Sequence, residues 1–148
     1  MSIKHLLAAL PCFALVFAVP MDAQGRGAAK IYREQFVQLH ERTKAALARA
    51  EQQVKNGSSP EDRSELRREG IALTTLVHRL SEESGRSYVE DSKRVENPNK
   101  DLLFIESGCE QLSFVLDALD SFLATEDKAF LSFAKRGNEL ASSIEELL

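Results

Sequence analysis

Sulfur is scarce in this chain. Of its 148 residues two are cysteine and two are methionine, and Met1, Cys12 and Met21 all fall in an N-terminal stretch that reads as a secretory signal. Lys4 and His5 precede an apolar run from Leu6 to Val19, and Pro20, Met21, Asp22 and Ala23 follow it. We expect cleavage after Ala23, which leaves residues 24–148 as one helical domain. A run of about 14 apolar residues falls short of the roughly 20 that a spanning helix needs. No membrane span is therefore expected after cleavage, and the destination is periplasmic or secreted. Cys12 stands behind Pro11 in mid-run, unlike a lipoprotein cysteine. The processed chain keeps Cys109 alone, so no intramolecular disulfide can form even in an oxidising compartment.

Charge of one sign is not in large excess. Processing removes one residue of each sign, Lys4 and Asp22, and leaves the net charge of −4 unchanged. A clustered basic surface is missing, which argues against nucleic acid and anionic lipid as partners. Strand alternation of useful length and repeated sequence motifs are missing too. So are a glycine-rich phosphate loop and a serine elbow.

What is present is helical periodicity. Tyr32, Phe36, Leu39, Thr43, Ala46, Leu47, Ala50 and Val54 recur at spacings of four and three, one stripe of a helix over 28–55 that Asn56 and Gly57 end. Ser59, Pro60, Glu61 and Asp62 supply a capping hydroxyl, a proline at the first helical position and two acids where the helix dipole favours them. They start a helix over 60–84 that carries Leu66, Gly70, Leu73, Leu76, Val77 and Leu80 and stops at Ser84 and Gly85. A long polar connection, 85–100, is expected next. A third helix, 101–124, is the most apolar, with Ile105, Cys109, Leu112, Leu116, Leu119 and Leu123 on one face. Thr125 reads as the N-cap of a fourth over 126–147, striped by Phe130, Phe133, Gly137, Leu140, Ala141, Ile144 and Leu148. Stripes this narrow are stable only when they bury one another. The expected fold is all-α, an antiparallel up-down-up-down four-helix bundle after a cleaved signal peptide.

Bundles often hold metals or haem, and histidines are the usual ligands. His40 lies roughly 70° from the centre of its apolar stripe and His78 roughly 140° from that of its own, directions that do not converge. Val37 and Thr75, rather than glutamates, stand three residues before them, which removes the di-iron pattern. A single cysteine excludes CxxCH attachment of haem, and a chain starting at Gln24 has no methionine for axial ligation. His40–Glu41 is followed by Lys44 where a zinc protease motif needs histidine. Glu106, Glu110, Asp117 and Asp120 read as a solvated face, and Cys109 as a small buried hydrophobe without a histidine neighbour. No catalytic residue, cofactor or metal ligand is assigned.

Apolar residues off the stripes are more informative. Leu103 and Phe114, eleven residues apart on one line of the third helix, project among Ser107, Glu110, Ala118 and Ser121. Ile71 is a similar case on the second helix. Leu103 and Phe114, with Tyr88 from the connection, are the candidate contact surface for a protein partner or a second copy. The functional expectation is a non-enzymatic interaction module: an inhibitor, an adaptor or an immunity-type partner of an exported protein. The alternative is a carrier of a small hydrophobic ligand, with Gly70, Gly137, Ala46, Ala50 and Ala134 leaving room between the helices.

Overall fold

The computed structural model describes residues 26–148, so the expected signal peptide lies outside the described residues. Four helices and no strands make up those residues: α1 Arg26–Asn56, α2 Pro60–Ser92, α3 Asp101–Thr125 and α4 Lys128–Glu145. The architecture is all-α and consistent with a helical bundle. α3 touches every other helix, α1 touches α2, α3 and α4, and α2 and α4 do not touch each other. None of the helices is long and apolar enough to cross a membrane.

The α1 stripe behaves as its spacing dictates. Tyr32, Phe36, Leu39, Thr43, Ala46, Leu47 and Ala50 are buried, and Val54 packs against the core at the end where Gly57, at φ 78°, turns the chain. α2 starts with a complete capping box: Ser59 Oγ accepts from the Asp62 amide, and the Asp62 carboxylate accepts from the Ser59 amide, both at 3.1 Å. That pairing holds the Asp62 carboxyl below the usual carboxylate range, the Ser59 hydroxyl being the larger cause.

Two boundaries depart from expectation. α2 does not stop at Ser84 and Gly85 but runs on to Ser92, so the polar connection shrinks to residues 93–100. Gly85 serves close approach rather than termination. A Cβ there would stand 2.7 Å from Glu106 Oε1, so the missing side chain lets the α3 carboxylate lie against α2. Ser84 is buried beside it and Tyr88, one turn on, packs against the core, which holds the added turns in place. The shortened connection is tied down by the Asp91 carboxylate, which accepts from the Asn99 amide at 2.9 Å.

At the α3/α4 corner the N-cap is Asp127, not Thr125. Asp127 Oδ1 accepts from the Ala129 amide at 2.9 Å, while Thr125 closes α3 by donating to the Ser121 carbonyl at 2.7 Å. Between them Glu126 turns the chain at φ 61°, a conformation a side chain adopts only at some cost.

α4 is turned relative to the expected stripe. Leu131, Ala134, Gly137 and Ala141 are buried, whereas Phe133 and Leu140 are about half exposed. The inward face is therefore rotated by roughly 60° towards Leu131 and Ala134. Side chains of consecutive helices meet in ordered pairs. Arg63 meets Glu126, Arg67 grips Asp120 at 2.6 and 3.2 Å, and Glu106 covers Gly85 between α2 and α3. Gly137 meets Phe114 and Gly108 meets Ile144 between α3 and α4. These exposed ion pairs order surfaces more than they stabilise the fold.

Candidate interaction surface

The rotation of α4 creates the most distinctive surface of the molecule. Because Gly137 carries no side chain, the Phe114 ring of α3 leans on the α4 backbone, and a Cβ at 137 would stand 2.8 Å from its Cδ1. Gln111 and Phe114 form one wall of a groove of about 340 Å³, and Phe133, Arg136, Gly137 and Leu140 form the other. Phe114, Phe133 and Leu140 are 50%, 53% and 51% exposed, so the groove presents apolar rings and methyls to water. Phe133 is braced by Phe130, whose ring meets it edge-on at 6.4 Å.

Of the three residues singled out from the sequence, Phe114 lines this groove. Leu103 is exposed on the same line of α3, roughly 16 Å further along the axis. Tyr88 lies on α2 and is half-buried against the core. Phe114 thus keeps company with Phe133 and Leu140 rather than with Leu103 and Tyr88. The periodic pattern of α4 had placed both of those neighbours inside. Their signal in the sequence was a second apolar line, Phe133, Leu140 and Leu147 at intervals of seven, beside the one formed by Leu131, Ala134 and Ala141.

A polar cluster sits on the far flank of α4. His40 is fully buried and stacks on Phe36, with ring centroids 6.0 Å apart. Its Nδ1 pairs with Glu145 Oε2, and its Nε2 lies 3.2 Å from Asn138 Oδ1 and 3.5 Å from Ser142 Oγ. Serine, histidine and glutamate in this order resemble a hydrolytic relay. The Ser142 hydroxyl, however, donates to the Asn138 carbonyl at 3.0 Å, and the covered imidazole has no face open to a substrate. The cluster is a clamp between α1 and α4. His78, by contrast, is exposed on α2. No group of three or more His, Cys, Asp or Glu side chains among the described residues could hold a metal ion.

Cys109 is free and wholly buried. Burial, reinforced by Glu106 and Glu110, pushes its thiol up from 9.0 to about 12. A raised folded value means that stability is intact below the unfolded value and is lost as pH climbs, because only the unfolded chain releases the proton. Between about pH 9 and 11 the wild type should lose roughly 1.4 kcal/mol per pH unit relative to Cys109→Ala, measured by urea unfolding. Parallel pH profiles for the two proteins would show that the thiol is solvated in the native state.

The small residues are filled rather than hollow at two positions. Phe114 and Val115 occupy the space at Gly137, and Phe36 and Ile144 that at Gly108. Gly70 has open space beside it, in a cleft shared with Ile71, Thr74, Thr75 and Asp120. No family model matches this chain, and no match was found among curated proteins or solved structures.

Proposed function

We propose that this chain is an exported, non-enzymatic interaction module that engages a protein partner through the α3/α4 groove. The observation that carries the reading is the company of Phe114, Phe133 and Leu140, half-exposed apolar side chains gathered on one side of a folded chain. Isolated surface hydrophobes are ordinary, but a groove walled by two helices and floored by glycine matches the way amphipathic helices are received by protein partners. Leu103 extends the same line of α3, and Tyr88, the third residue of the contact surface read from the sequence, lies half-buried on the α2 side.

The net charge of −4 and the interspersed signs argue against nucleic acid. The order of the helix pairs, in which numbers rise on one partner as they fall on the next, supports an antiparallel up-down-up-down course. Export rests on the N-terminal run: a chain recovered outside the cytoplasm and beginning near Gln24 is the expected product, and recovery there with Met1 intact would refute processing.

Capture from envelope or secreted proteins of the source organism tests the partner. Bait of wild-type sequence should retain a protein that Leu103→Ser/Phe114→Ser bait does not, with both baits equally helical and similar in melting temperature. Equal retention by both baits, or unfolding of the double variant, would overturn the assignment of this face.

A further inference from the structure

The α4 line that walls the groove is also a suitable guest for it. Phe133 and Leu140 on α4 stand 53% and 51% exposed, and Leu147, in the turn that follows Glu145, stands 63% exposed at the same interval of seven, the spacing at which one helix lies along another. Side chains of the same face flank them: Arg136, Glu139, Ser143 and Glu146 are all exposed. Arg136, Glu139 and Glu146 have no ion-pair partner among the described residues.

We propose that the groove is occupied by α4 of a second copy of this chain, the two helices apposed antiparallel about a two-fold axis at Leu140. The inference rests on the interaction reading above and names its partner. In this register Leu140 meets Leu140, and Phe133 of each copy meets Leu147 of the other. Arg136 of each copy faces Ser143 of the other, with Glu139 and Glu146 one turn to either side. The unpaired cation of one copy thereby meets the unpaired acids of its mate, a self-complementary charge pattern of the kind a two-fold contact requires. Phe114, Phe133, Leu140 and Leu147, each at least half exposed, supply the apolar centre that an interface of the standard ~800 Å² per partner requires.

Sedimentation equilibrium on the chain as the cell produces it supplies the test. The expected mass at about 100 μM is that of two copies, falling towards one copy on dilution. Leu140→Arg places two like charges on the axis and is expected to weaken association at least about 100-fold. Its helical circular dichroism should be unchanged, because Leu140 is half exposed. Arg136→Glu should weaken association alone, and mixing it with Glu139→Arg/Glu146→Arg should restore a mixed dimer. A single-copy mass at 100 μM, or a dimer indifferent to Leu140→Arg, would overturn the second copy as occupant. A monomeric chain whose captured partner is lost on Leu140→Arg would leave the groove reading standing, whereas a monomer that captures nothing would remove both.

Discussion

Phe36→Ala is expected to lower the unfolding free energy by about 3–5 kcal/mol, a large share of the roughly 5–15 kcal/mol that keeps a domain folded. Phe36 is fully buried where three helices meet. Its ring edge lies over Gly108 of α3, where an added Cβ would stand 2.5 Å from Cζ and 3.3 Å from the Ile144 methyl of α4. The His40 ring stacks on its other side. Removing the ring opens a cavity that none of these neighbours can fill without moving a helix. The same geometry predicts that Gly108→Ala destabilises by about 1–3 kcal/mol although alanine is the better helix former by about 1 kcal/mol. Phe36→Leu/Gly108→Ala should be more stable than the two single changes sum to, because the shorter side chain vacates the space the methyl needs. Urea unfolding followed by circular dichroism reads the wild type, Phe36→Ala, Phe36→Leu, Gly108→Ala and the double variant. Additivity would show that ring and glycine do not share that space.

The second large effect is an asymmetry across one hydrogen-bonded pair, His40 and Glu145. His40→Ala should cost about 2–4 kcal/mol and Glu145→Ala only about 1. The histidine is wholly enclosed, so its loss leaves a void beside Phe36 and strips Asn138 of its partner. Glu145 is 27% exposed and its place can be taken by water. The damage should be local as well as global. Amide exchange in α4 should accelerate in His40→Ala more than in α2, which α4 does not touch. Equal costs for the two substitutions would mean that the carboxylate, not the ring, holds the clamp together.

How much of this could be read before any coordinates depended on whether the cause was local. The α1 stripe, the capping box at Ser59 and the apolar α3 arise from spacing and from hydrogen bonds within a few residues, and they lie where the periodicity puts them. Gly85 looked like a stop because its sequence neighbours are polar. Its reason is Glu106, twenty-one residues away on another helix. At the α3/α4 corner Thr125 and Asp127 are both capable caps, and the left-handed turn at Glu126 decides between them. α4 and the turn after it carry two apolar lines, one through Leu131, Ala134 and Ala141 and one through Phe133, Leu140 and Leu147. Which one turns inward is decided by what α3 and α1 offer it: Phe114 settles onto Gly137, and His40 draws Asn138, Ser142 and Glu145 to the opposite flank. Periodicity gives a helix its apolar sector but not the bearing of its neighbours, so the sequence marked Phe114 as a contact residue beside Leu103 and Tyr88 but not the groove it shares with Phe133 and Leu140.

The helix that every other helix leans on comes third in the chain. While a ribosome is still making the first hundred residues, α1 and α2 have only each other to cover faces shaped for α3. Phe36 stays partly wet until Gly108 and Ile144 arrive to close over its ring. Anything that binds nascent greasy segments therefore has its longest opportunity here before residue 101, and the last helix to appear brings the final contact for His40.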